Sequence, residues 1–180
     1  HPDLYSMLNA YIDRCIPIVY HIKYPNPLDP MYLEDTVMNM YCTEYAYMFS
    51  SNAFSFNGNK EGELYNARFL IEQDILDLYT QDSPFDILIN GRKQGDTVFV
   101  TTQVKSSVNN ANLKLRICIV EKQVTYPPSD TGANGETDFY YVARKMLPDN
   151  KGGDCSMLAN QTREFKNSFV YKDNWQKGQI

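Results

Sequence analysis

At Pro84 the hydrophobic period of the chain changes, and this limits the possible folds more than any other feature. Before it, apolar residues step by three and four. Leu4, Met7, Leu8, Tyr11 and Ile12 make one such stripe; Leu64, Ala67, Ile71, Ile75, Leu78 and Tyr79 make a longer one. Both predict amphipathic helices, because a 3.6-residue repeat brings those positions to one face. A further helix is expected from Tyr32 to Tyr47, with Glu34 and Asp35 near its start, where the helix dipole favours anions. Between the helices, Ile16 to Tyr24 reads as a buried strand in which Pro17 restricts pairing. Pro25 to Pro30 reads as a stiff loop, and Asn52 to Gly58 as a short strand ending in an Asn-Gly turn.

After Pro84 the pattern alternates. Phe85 to Asn90 reads as a strand ending in an Asn-Gly turn, and Asp96 to Ser106 as a second strand. Asn112 to Val124 is the clearest strand. Leu113, Leu115, Ile117 and Ile119 face one way; Lys114, Arg116 and Cys118 face the wetter side. "TDFYYVARKML" and "REFKNSFVYKD" complete five strands with turn signals between them. The expected fold class is therefore α/β plus all-β. An αβαβα unit over 1–83 is followed by an antiparallel sandwich of immunoglobulin-like type over 84–180. Two strands make a poor sheet for the first unit, so it is expected to need a strand from elsewhere.

Composition narrows the function. The chain has 180 residues, 43% of them hydrophobic, enough for a real core. Its 14 Tyr against a single Trp suit half-exposed sheet faces. A net charge of −5 with no basic stripe argues against nucleic acid as a partner. No apolar run nears the roughly 20 residues that a membrane-spanning helix needs. The start at His1 predicts a processed or partial chain.

Residues able to carry chemistry are few. His1 and His21 are the only histidines; a copper brace would need both at one metal, against the plainer reading of His21 as a hydrogen-bonded strand residue. No G-x-S-x-G elbow exposes a serine. Asp29, Glu34 and Asp35 lie close together but lack calcium-loop spacing, and a charged helix start accounts for them. Glu72, Asp74 and Asp77 fall on a solvated helix face. In the loop Ser129 to Asp138, the residues Asp130, Asn134, Glu136 and Asp138 offer oxygens to calcium, and Gly132 and Gly135 let the backbone turn. A solvated connection is the default for such a loop. Asn160 heads an Asn-Gln-Thr triplet resembling a glycosylation acceptor. Cys15, Cys42, Cys118 and Cys155 contain no C-x-x-C pair. They are either reduced thiols or members of one or two disulfides. Bridges within each unit would be Cys15–Cys42 and Cys118–Cys155, although four cysteines allow three pairings.

"IPIVYHIKYPNPLDPMY", "FSFNG" and "ICIVEKQVTYPPSDTGANGETDFYYVARKMLPDNKGG" resemble, in that order, segments of a Bacteroidota-type outer membrane protein family. The family is named after a twenty-eight-kilodalton outer membrane protein, and the resemblance spans nearly the whole chain. It implies a thioredoxin-like domain lacking its first strand and its C-x-x-C, over 1–83, then an immunoglobulin-like sandwich. Asn52 would stand where a thioredoxin fold carries its cis-proline. It further implies a non-catalytic structural or binding protein of the cell envelope, outer membrane surface or extracellular space, without cofactor. Its partner would be a protein or a second copy joined through an open sheet edge. The alternative is a thiol–disulfide oxidoreductase whose C-x-x-C lies upstream of His1.

Overall fold

The computed structural model describes the chain except residues 1, 24–25, 46–52, 57–59, 64–67 and 128–134. The side chains of 2–4, 42–45, 53–54, 56, 60–63 and 68–70 also lie outside the description. The described residues are mostly antiparallel strands with few helices. They divide into two compact units: 1–81 with 120–145, and 82–119 with 146–180. One cut falls close to Pro84. Residues 120–145, read from the sequence as sandwich, cluster with the N-terminal unit instead.

In the first unit, α1 (Pro2–Ala10) and α4 (Arg68–Tyr79) meet along their apolar stripes. Met7, Ile71 and Ile75 are buried together, with Leu8, Tyr11 and Cys15 at the margin. The single helix expected over Tyr32 to Tyr47 is two: α2 (Pro30–Glu34) and α3 (Thr36–Tyr45). The cause is a pair of aspartate caps. Asp29 accepts the Met31 N–H at 2.8 Å, with Pro30 at the first helical position. Asp35 leaves the helical region, at φ −149° and ψ 79°, and accepts the Met38 N–H at 2.8 Å. β1 (Ala53–Phe56) pairs antiparallel with β2 (Lys60–Glu63), Ala53 opposite Glu63. β2 is a strand that the sequence hides, since "KEGE" has no apolar alternation. The Asn57-Gly58 turn expected beside it lies outside the described residues.

The strand expected from Ile16 to Tyr24 is reduced to one bridge. Val19 donates to Tyr141 O at 2.8 Å and accepts from Ala143 N at 2.9 Å, parallel to the strand opposite. Two neighbours stop the ladder. Pro17 has no N–H to donate, and the His21 N–H is taken by Asn39 Oδ1 at 3.3 Å. Ile16, directly before Pro17, is 86% exposed rather than buried.

In the second unit, β3 (Phe85–Gln94), β4 (Thr97–Ser106) and β9 (Thr162–Val170) form a sheet in the order β3-β4-β9. Asn90-Gly91 is not a turn: β3 runs straight through it, and the reversal comes at Gly95, whose φ of 61° suits glycine. The segment Asn112 to Val124 is broken at Arg116 into β5 (Lys114–Leu115) and β6 (Ile117–Thr125). Arg116 Nε there donates to Asn150 O at 3.1 Å. β5 pairs with β8 (Gly153–Asp154), and β6 with β7 (Asp138–Leu147). Gly152 enters β8 at φ 77°, and a Cβ there would lie 2.8 Å from Leu115 O, so no other residue fits. The core gathers Val100, Ile117, Ile119, Leu147, Phe169 and Trp175, beside a second cluster of Val104, Cys155 and Met157.

Candidate functional site

β3, 10 residues long, is an edge strand of its sheet. Its hydrogen-bond phase follows from one contact. The Ser107 N–H donates to Pro84 O at 2.9 Å, and the register continues with Phe85 opposite Ser106. In an antiparallel ladder, hydrogen-bonded and open pairs alternate. Asp86, Leu88, Asn90 and Arg92 therefore turn their N–H and C=O groups to β4. Phe85, Ile87, Ile89, Gly91 and Lys93 turn theirs to the outside. Among the described residues no strand pairs there.

At Ile87–Ile89 the side chains of this edge are apolar and uncovered. Ile87, Leu88 and Ile89 are each 56% exposed. Ile87 and Ile89 sit on the face of Val104 and Thr102, their register partners, which are buried. Thr102 Oγ1 is buried without a hydrogen-bond partner among the described residues. On the opposite face, Asp86 and Arg92 flank Leu88 and Asn90. The Arg92 guanidinium lies 5.0 Å from the centre of the Phe99 ring and donates to Gln94 Oε1 at 3.3 Å. Among the described residues, neither Asp86 nor Arg92 has an ion-pair partner. Beside Gly91 a shallow cavity of about 350 Å³ opens against Phe99, Val100 and Asn167.

The first unit holds the densest polar chemistry. Arg144 on β7 is 2% exposed; its Nε donates to Glu121 Oε2 on β6 at 2.6 Å, and its Nη1 to Glu34 Oε2 at the end of α2. Glu121 is fully buried. Burial pushes the Tyr126 hydroxyl above its ordinary pKa, although the Arg144 charge pulls the other way. The cluster ties α2 to the β6–β7 hairpin. It was missed in the sequence, although a signal was there: Glu121 is in phase with the core residues Ile117 and Ile119.

Nearby, His21 Nδ1 and Asp29 Oδ2 are 2.8 Å apart, and the imidazole meets the Phe139 ring edge-on at 5.6 Å. Asn39, buried, accepts from the His21 backbone and donates to Met31 O at 3.0 Å. A histidine–aspartate pair can serve a nucleophile through its other nitrogen. Nε2 of His21 is buried and bonds to no hydroxyl or thiol among the described residues. The pair works as a brace between residues 16–23 and the start of α2. His1, the other half of the copper brace, lies outside the described residues.

The remaining sequence candidates are dispersed. Asp138 accepts from Thr125 Oγ1 at 2.7 Å, Thr137 Oγ1 at 2.9 Å and Gln123 Nε2 at 3.2 Å, and these bonds hold its carboxyl below the usual range. Its oxygens are spent on closing the β6–β7 hairpin. Glu136 is half-buried, while Asp130, Asn134 and Asn52 lie outside the described residues. No group of three or more metal-ligating side chains occurs among the described residues. Cys15, Cys118 and Cys155 are in no disulfide, so of the two alternatives the thiols hold and the Cys15–Cys42 and Cys118–Cys155 bridges are not formed. Strand alternation explains the second case: Cys118 points away from Ile117 and Ile119, while Cys155 packs with Val104, its Sγ 3.8 Å from Met157 Sδ. The Cys42 side chain lies outside the described residues.

Acid should weaken the first unit at a defined point. Burial tends to raise the Asp29 carboxyl, but the His21 hydrogen bond and charge, with the Met31 and Tyr32 N–H groups, outweigh it, and its pKa falls below the ordinary value. A lowered carboxyl stabilises the fold above its unfolded pKa, near 4, and loses that contribution as pH falls through the folded value. Urea midpoints measured from pH 7 to pH 2 should hold to about pH 4 and then drop, with a shallower drop in Asp29→Asn. At the alkaline end, burial raises Tyr5 to about 12, aided by the Glu136 charge. That contribution is whole below pH 10 and disappears as pH rises toward 12.

Comparison with protein-family models, curated proteins and solved structures finds no match. No helix among the described residues is long and apolar enough to cross a membrane.

Proposed function

We propose that this chain is a non-catalytic binding protein whose working surface is the free edge of β3. An extended segment of a protein partner would add to it as another strand. The observation that carries this reading is the exposure of Ile87, Leu88 and Ile89 along an edge that runs for 10 residues. A long, unpaired edge with an exposed apolar stretch is a template for strand addition, in which backbone bonds supply affinity and alternate side chains supply selectivity. The thiols support the non-catalytic half. Burial raises both Cys15 and Cys155, whereas a redox thiol needs a lowered pKa. On the sequence resemblance, the finer reading is a degenerate thioredoxin-like unit followed by an immunoglobulin-like sandwich, placed at the cell envelope or outside the cell.

Selection of a displayed library of random extended peptides on the native chain tests the reading. Sequences with alternating branched residues should be enriched, and Ile89→Pro should abolish their binding. A selection that enriches nothing, or binders indifferent to Ile89→Pro, would refute the edge as the working surface.

A further inference from the structure

Taking the β3 edge as a pairing surface, we infer that its partner is a second copy of this chain, joined β3 to β3, antiparallel, about a two-fold axis through Ile89. Two identical strands pair side by side only about an axis perpendicular to the sheet, which keeps matching faces together. The free N–H and C=O groups belong to Phe85, Ile87, Ile89, Gly91 and Lys93. Allowed registers therefore differ by steps of two, and side chains choose among them. An axis through Leu88 sets Asp86 against Asn90. An axis through Asn90 sets Leu88 against Arg92 and Asp86 against Gln94. Only the axis through Ile89 sets Asp86 of each copy against Arg92 of the other, and it does so on both sides of the axis. Those are the exposed, oppositely charged side chains that lack ion-pair partners among the described residues.

The same register matches shape. Ile89 meets Ile89 across the axis, covering two half-exposed side chains. Ile87 falls opposite Gly91, the one position on the edge with no side chain, which lines the shallow cavity together with Asn90 and Arg92. Asp86 and Arg92 occupy open pairs of the new ladder, where opposed side chains come closest. The outcome is one continuous sheet made from two three-stranded ones. β9, the other edge, lacks this character. Its Glu164 and Lys166 already pair within the strand at 3.0 Å, and its Phe169 is buried.

Sedimentation velocity over a wide concentration range tests the inference. The native chain should run at about twice 20.8 kDa. Asp86→Arg and Arg92→Asp should each weaken association about tenfold or more, since each turns two attractions into repulsions. The double variant Asp86→Arg/Arg92→Asp should restore it, and Lys166→Pro on β9 should leave it unchanged. A monomer at the highest soluble concentration would overturn self-pairing, as would a dimer that the charge reversals leave intact. Peptides still captured through Ile89 would then keep the edge as a binding surface for another protein; with capture lost as well, both readings fall.

Discussion

Replacing Arg144 by methionine should cost about 3–5 kcal/mol of unfolding free energy, the largest single-residue loss in the first unit. The reason is what stays behind. Glu121 is fully buried and Glu34 is 7% exposed at its side chain, and both carboxylates bond to the same guanidinium. Methionine fills much of the arginine's volume, so the loss reports the missing positive charge rather than a cavity. Glu121→Gln keeps an acceptor for Arg144 Nε and leaves the charge of Glu34 matched, so its cost should be about 1 kcal/mol. Urea unfolding of the three proteins at pH 7 separates these cases. An equal cost for both variants would mean that the cluster serves packing, not charge.

Proline scanning along β3 should give alternating results. At Leu88 the N–H is turned to β4, so Leu88→Pro removes a ladder bond and strands an acceptor on Gln103. Its cost should be roughly 2–3 kcal/mol. At Ile89 the N–H faces outward, and proline is tolerated where an edge strand shows its donors to solvent. Ile89→Pro should change stability by less than about 1 kcal/mol while abolishing strand addition. Loss of pairing with stability retained is what separates a binding edge from a merely structural strand. Equal destabilisation by the two variants would show that the phase of the ladder is misplaced.

Much of this architecture was legible before the structure. The stripe through Ile71 and Ile75 and the alternation through Ile117 and Ile119 both reach the core, because burial of one face is what those periods encode. What was misread depended on partners distant in sequence or on local chemistry. Asp35 looked like a charge near a helix start, but its carboxylate caps a second helix and ends the first. Ile16 to Tyr24 had the composition of a strand, yet Pro17 and Asn39 remove the bonds that would have extended it. Asn90-Gly91 carried an Asn-Gly turn signal, but the turn formed at Gly95 instead. That miss hid the candidate site, since a strand ending at Asn90 would have left Arg92 off the edge. The polar cluster was hidden differently. Glu34, Glu121 and Arg144 are far apart along the chain, and only the in-phase position of Glu121 announces it.

Amide hydrogen exchange resolved residue by residue along β3 tests the central claim most directly. In dilute solution Leu88, Asn90 and Arg92 should exchange slowly and Ile87, Ile89 and Gly91 fast; as concentration rises, these three should become protected. Protection of Ile87, Ile89 and Gly91 already complete in dilute monomer would mean that the edge is covered within the chain, and the account would be wrong.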